Sequence, residues 1–336
     1  MKFNNFYRLC SKTPILLCTL IRSTDYLTGH NITYKNKDTF TDEPLKNPLK
    51  LNILPTCYSR SIFVANTIIF QIGNAIINIG TLFILSIILY SIRQKFTAIG
   101  RDEYMYLFQL IICFILLSLI ADCGVAPPNS ISYSYIVAIQ VAFAGASCWA
   151  LTVSGLLNFR FWEDGTRKSM FIIRGISFIG FSLNLFACLA ISLKWFTDSS
   201  SNNNNSVGDG NHNNEHAIIL MTVIFVSNAL CILIFIASQF LASIFVSKNY
   251  WGFGVVCINV LFFVTGLIVT FGISDIVCEK TKHYLDGLFF GSLFNLFSYM
   301  MIYKVWDINT SKDLEFNVYL NNEDETIYNE YKLGIK

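Results

Sequence analysis

Between Ile62 and Ile92 the chain runs without a charge, in a segment too long for an ordinary buried helix, and then turns basic at Arg93, Lys95 and Arg101. An apolar run of about 18 or more residues is read as a bilayer span, because only a helix satisfies its own backbone groups in hydrocarbon. Six further runs repeat the pattern: Tyr104 to Ala121, Tyr135 to Leu157, Met170 to Leu193, Ala217 to Val246, Trp251 to Ile273 and Tyr284 to Tyr303. The expected fold is therefore an all-α membrane protein, a bundle of seven transmembrane helices over residues 62–303. An arm (1–61) precedes it and a polar, increasingly acidic tail (304–336) follows.

Composition agrees. The 336 residues are 54% hydrophobic and only 14% charged, where a soluble domain carries roughly a quarter charged residues. The 30 Phe and 16 Tyr suit lipid-facing surfaces and interfacial belts. A net charge of +2 with no long basic run gives no footing for nucleic acid. The first residues, MKFNNFYRLCSKTPILLCTLI, carry a basic flank and a short apolar stretch from Pro14 to Ile21. That stretch is interrupted by Cys18 and Thr19 and lacks a small-residue cleavage site, so it is read as an amphipathic or re-entrant arm of the mature protein.

Short-loop cations set the orientation. Arg93, Lys95, Arg101, Arg160, Arg167, Lys168, Lys248, Lys304 and Lys312 fall on one side, and only Lys194, Lys280 and Lys282 on the other. The basic side is expected to be cytoplasmic, the N-terminus lumenal and the C-terminus cytoplasmic. The sequons at Asn31 and Asn204 fall on the lumenal side as candidate N-glycosylation sites, whereas the Asn309 sequon falls in the cytoplasmic tail and should stay unmodified. The run SSSNNNNSVGDGNHNNE around Asn204 cannot bury a core and is expected to be unstructured. His212 and His216 lie in it at helical ligand spacing, but its Asn and Gly content argues against a helix there.

Polar groups inside the spans are the next signal. The first span carries Asn66, Gln71, Asn74 and Asn78, the last three at helical spacing. The third carries Ala138, Ala142, Ala146 and Ala150 every fourth residue, and the seventh carries Gly287 and Gly291 followed by Asn295. Amides facing lipid would lose hydrogen bonds, and small-residue ridges let helices approach closely. Both stripes fit packing inside the bundle; both also fit docking of a client helix or ligand.

Ionisable groups at mid-depth, which an ion path needs, are scarce: Arg174 lies near a span end, as do Asp122, Asp275 and Asp286. The four histidines, His30, His212, His216 and His283, lie outside the spans or at their margins, which leaves an intramembrane zinc hydrolase without ligands. Walker, GxSxG and HExxH motifs do not occur. The chain reads as non-catalytic, with no catalytic, cofactor or metal residues. Of ten cysteines, Cys10, Cys18, Cys57, Cys123 and Cys278 fall on the lumenal side, where oxidation is permitted. Connectivity cannot be deduced from spacing; a bond from the arm to a lumenal loop, with Cys57 and Cys123 as candidate pair, is the working expectation.

The loop motifs carry a resemblance. They include Cys10-Ser11-Lys12-Thr13-Pro14, Leu54-Pro55 with Cys57-Tyr58, Gly73-Asn74-Ala75, Ile77-Asn78-Ile79-Gly80, and Ile92-Arg93-Gln94-Lys95 with Thr97-Ala98-Ile99-Gly100-Arg101. Further on come Asp122-Cys123-Gly124-Val125 with Pro127-Pro128, Trp162-Glu163-Asp164-Gly165-Thr166, His283-Tyr284-Leu285-Asp286-Gly287, Trp306-Asp307 and Asp313-Leu314-Glu315-Phe316. In this order they resemble the fungal chitin synthase export chaperones, multi-pass proteins of the endoplasmic reticulum membrane. The polyasparagine run and the extension after Phe316 depart from the family pattern. The resemblance implies a dedicated chaperone that helps chitin synthase fold and leave the endoplasmic reticulum, supporting cell wall chitin synthesis. It implies chitin synthase as client, export coat components as further partners, and the lipid bilayer as surroundings.

Shielding of unpacked client helices would use Asn66, Gln71, Asn74 and Asn78. Contact with the client's soluble domain or the coat would use Arg93, Lys95, Arg101, Trp162, Glu163, Asp164, Trp306, Asp307, Asp313 and Glu315. A seven-span receptor shares the architecture and is the alternative, followed by a small-molecule transporter.

Overall fold

In a computed structural model of the protein, described for residues 13, 18, 59, 61–64, 67–95, 98–126, 130–157, 159, 165–193, 210–246 and 250–333, seven helices are long and apolar enough to cross a membrane. They are α1 (Ile72–Gln94), α2 (Arg101–Asp122), α3 (Ile131–Leu157), α4 (Arg167–Ser192), α5 (Gly210–Leu241), α6 (Tyr250–Lys280) and α7 (Gly287–Leu333). Two π-helical turns interrupt the regularity. Ala242–Val246 continues α5, and Val269–Ile273 lies within α6.

The apolar run that begins at Ile62 is not helical from its start. A short antiparallel pair, β1 (Ile62–Val64) and β2 (Thr67–Ile69), precedes α1, with Ile62 opposite Ile69 and Val64 opposite Thr67. Branched Ile, Val and Thr side chains favour extended backbone, and apolarity alone does not distinguish the two states. The amide of Phe70 then donates to the carbonyl of Asp122 (3.0 Å), fastening the hairpin's end to the end of α2.

Two other boundaries differ from the sequence reading. Helix α5 begins at Gly210 and takes in the segment with His212 and His216, so the end of the Asn-rich run is helical. Among the described residues no three His, Cys, Asp or Glu gather as a metal site. Helix α7 does not stop near Tyr303 but continues to Leu333. From Ser292 to Leu333 the sequence has neither Gly nor Pro to end it.

Helix α3 is central, packed against α2, α4 and α5, while α7 packs on α6 and α1. The alanine ridge is inward: Ala138, Ala142, Ala146 and Ala150 are at most 2% exposed. Gly287 and Gly291 let α7 approach α6. A Cβ at Gly287 would come within 2.6 Å of Ser274, and one at Gly291 would overlap the Thr270 hydroxyl. The outer surface carries Phe83, Phe171, Phe178, Leu233 and Phe245, the arrangement expected of a bundle solvated by lipid. Tyr250 and Trp251, 93% and 82% exposed at the start of α6, stand where an interfacial aromatic belt belongs.

Candidate functional site

The amide stripe of α1 faces the bundle. Asn74 and Asn78 are four residues apart, hence on one helix face, and are 6% and 2% exposed. Across from them, Ser118 and Asp122 repeat the same spacing on α2. Asn74 Nδ2 donates to Asp122 Oδ2 at 2.7 Å and Asn78 Nδ2 to the same oxygen at 2.9 Å and to Ser118 Oγ at 3.3 Å. From α7, Ser292 Oγ donates to Asn74 Oδ1 at 2.5 Å. The stripe thus ties three helices together, and the carboxylate at its centre is 2% exposed.

This cluster borders a cavity of about 300 Å3 between α1, α2, α3, α5 and α7, whose wall also includes Gln140, Asn228 and Tyr299. A second cavity of about 200 Å3, lined mainly by apolar side chains such as Leu107, Ile111 and Phe263, adjoins it and shares Phe114, Ala144, Asn295 and Tyr299.

At the opposite end of the bundle a second set of contacts joins the loops. Gly100, with φ 68°, makes the turn into α2, and a left-handed backbone there costs glycine least. Three residues on, the Glu103 carboxylate is fully buried and accepts from Gly165 N (3.0 Å) and Ser169 Oγ (2.6 Å), locking the α3–α4 connection to α2. Trp306 on α7 is 4% exposed. Its Nε1 donates to the Ile99 carbonyl at 3.0 Å and its ring lies 5.6 Å from Tyr104. Beside it Asp307 pairs with both Lys95 and Lys304. Burial, and after it the neighbouring Lys304 charge, hold the Lys95 ammonium below the usual lysine value.

A family model described as chitin synthase export chaperone matches residues 2–320. The chain belongs to the chitin synthase export chaperone family. Proteins so named from Saccharomyces cerevisiae and Candida glabrata are 45% and 46% identical over 330 and 331 residues, covering 98% of this chain and 98% and 100% of theirs. The one from Kluyveromyces lactis is 44% identical over the full length of both chains. No solved structure matches.

The motif residues of this export chaperone family member separate into inward and outward groups. Asn74, Asn78, Lys95, Trp306 and Asp307 bind other parts of the chain itself. Gln71 stands at the N-terminal cap of α1 without a side-chain capping bond. Arg101 bonds its neighbour Asp102 at 3.2 Å, whereas Arg93 is exposed. Asp313 and Glu315 lie on the extension of α7. Asn66, Trp162, Glu163, Asp164, Asn31, Asn204 and Cys57 lie outside the described residues.

One expectation is overturned. Cys123 is a free thiol, so it forms no bond with Cys57. It follows the end of α2, where burial, and next the Asp122 carboxylate, push its pKa up. The bonded cysteines among the described residues are Cys18 and Cys278 instead.

Sequence reasoning left out Glu103, Ser118, Ser292, Gln140 and Asn228, and read Asp122 as a span-end acid. The i, i+4 spacing of Ser118 and Asp122, matching that of Asn74 and Asn78, was the available signal.

Proposed function

We propose that the chain acts as a non-catalytic chaperone in the endoplasmic reticulum membrane, assisting a chitin synthase to fold and depart, with its N-terminal arm lumenal and its C-terminal tail cytoplasmic. The family match over residues 2–320 carries this reading, and relatives nearly half identical from end to end bear the name chitin synthase export chaperone. The asymmetry of loop cations supports the orientation. On that orientation Asn31 and Asn204 carry glycans. The Asn309 sequon stays bare: on that orientation it is cytoplasmic, and it lies within the helix α7.

Because Asn74 and Asn78 are engaged inside the bundle, we assign them to holding the chaperone's own shape. We assign the client-facing role instead to Arg93, which is exposed, and to the remaining motif residues Trp162, Glu163, Asp164, Asp313 and Glu315. At 1.5 Å per residue, residues 311–333 form an arm roughly 35 Å long, enough to reach a soluble domain of the client or an export coat.

The test is the location of a chitin synthase in cells lacking this protein. Retention in the endoplasmic reticulum is expected, and undiminished delivery to the surface refutes the reading. Glycosidase treatment of Asn31 and Asn204 variants tests the orientation, which modification at Asn309 would overturn.

A further inference from the structure

The donors around Asp122 all reach one of its two oxygens. Asn74 and Asn78 both donate to Oδ2, while Oδ1 is buried with no hydrogen-bond partner among the described residues. The same cavity wall carries two more unmatched acceptors, Gln140 Oε1 on α3 and Asn228 Oδ1 on α5. The amide orientation at Asn228 is fixed by its neighbours. Asn184 Nδ2 donates to the Gly180 carbonyl (2.8 Å), so Asn184 Oδ1 must accept from Asn228 Nδ2 (3.1 Å), which leaves the Asn228 oxygen over.

Charge is unmatched in the same place. No Lys, Arg or His lines the cavity. A buried carboxylate with no cation is costly unless a partner neutralises it. Such a carboxyl meets that cost by holding a proton or by binding a cation, and a cation that also donates hydrogen bonds would match the other unfilled acceptors as well.

We propose that this cavity binds a protonated amine, its ammonium on Asp122 Oδ1 with the Gln140 and Asn228 carbonyls as further acceptors, and its apolar part along Phe114 and Tyr299. An ammonium offers three donors, matching three acceptors contributed by three helices. A cavity of about 300 Å3 exceeds the roughly 30 Å3 share of one water several-fold, which leaves room for an organic body. The adjoining apolar cavity, sharing Phe114 and Tyr299, extends that room. A bare metal ion suits the site less well, because it demands a close cage of oxygens. The proposal concerns a ligand of the membrane domain and does not depend on the client.

The test uses the full-length protein in lipid nanodiscs, with butylammonium chloride as probe. Isothermal titration and thermal unfolding are followed against 1-butanol, which lacks the charge, tetramethylammonium chloride, which lacks N–H donors, and sodium chloride at equal ionic strength. Saturable binding and a raised unfolding midpoint are expected with butylammonium alone. D122N should abolish both. Q140L leaves the Asn74–Asp122–Asn78 contacts in place and should weaken binding about tenfold, the loss of one good hydrogen bond, which keeps the test open if D122N fails to fold. Absence of saturable butylammonium binding, an undiminished response in Q140L or a folded D122N, or equal stabilisation by sodium chloride, 1-butanol or tetramethylammonium would each overturn the proposal.

Discussion

The indole nitrogen of Trp306 donates a 3.0 Å hydrogen bond to the carbonyl of Ile99, joining the last helix to the first interhelical loop across 207 residues of sequence. Around that bond Tyr104 and Tyr303 pack against the indole with their rings tilted to it, and the Lys95 ammonium stands 5.7 Å from the ring centroid. A tryptophan that sequence alone places in a tail therefore belongs to the folded bundle.

Trp306→Ala should destabilise the protein by about 3–5 kcal/mol, the usual range for emptying a buried aromatic site. Trp306→Phe keeps a ring and forfeits the bond to Ile99, for a loss nearer 1 kcal/mol. Thermal unfolding of the purified protein in detergent, scanned at one rate for all variants, checks the order wild type, Phe, Ala. Equal midpoints for Phe and Ala would show that the indole's bulk does not support the fold.

Asn78 presents a different kind of dependence, since its partner is a buried acid. Asn78→Leu leaves the Asp122 carboxylate with Asn74 as its remaining side-chain donor and should cost about 1.5–3 kcal/mol, the range for hydrogen bonds to charged groups. Adding Asp122→Leu removes the stranded charge and should recover part of that loss, because an apolar pair of similar shape is far less costly than half of a polar one. A double variant as unstable as the sum of the singles would mean that the two residues do not interact.

Some of this architecture was readable beforehand and some was not, for identifiable reasons. The alanines of α3 recur every fourth residue, and a helix has no other way to present them than as one ridge. The GxxxG of α7 likewise could only mark a close approach. The strand pair Ile62–Val64 and Thr67–Ile69 was hidden because Ile and Val are as apolar as leucine and no charge interrupts the run. Asp122 looked like an acid near water; it is buried because the Phe70 amide binds its carbonyl and two asparagines from another helix cover its side chain. Nor could the cavity be foreseen. Gln140 and Asn228 are 88 positions apart in number, and only the packing of α5 against α3 brings them to one wall.

Gly291 makes a prediction with its own control. A methyl group at this position would overlap the Thr270 hydroxyl on α6, so Gly291→Ala should separate the two helices and cost about 1–3 kcal/mol, as overpacking does. Thr270→Ala removes the obstructing hydroxyl, and the pair Gly291→Ala with Thr270→Ala should regain most of the lost stability. Crosslinking between cysteines placed on facing turns of α6 and α7 reads the separation directly. An unshifted crosslinking pattern in Gly291→Ala would contradict the packing.

Asp286 supplies the pH dependence. It caps α7, its Oδ1 accepting from the Phe289 amide at 3.2 Å, yet it is only 2% exposed and its Oδ2 has no partner among the described residues. Burial outweighs the hydrogen bond from the Phe289 amide and raises its pKa above the ordinary carboxylate value. A carboxyl whose folded pKa is raised binds its proton more tightly in the native state, so its contribution to stability is complete below the unfolded value of about 4 and is lost as pH climbs through the folded value. Asp286→Asn keeps a capping oxygen and cannot ionise, so it should match the wild type in acid and exceed it at neutral pH. Asp286→Ala loses the cap as well and should fall about 1 kcal/mol below Asp286→Asn at every pH. Unfolding midpoints of the three proteins from pH 4 to pH 8 decide this: a gap between wild type and Asp286→Asn that stays constant with pH would place the carboxyl's titration outside that window and remove it as a source of the pH dependence.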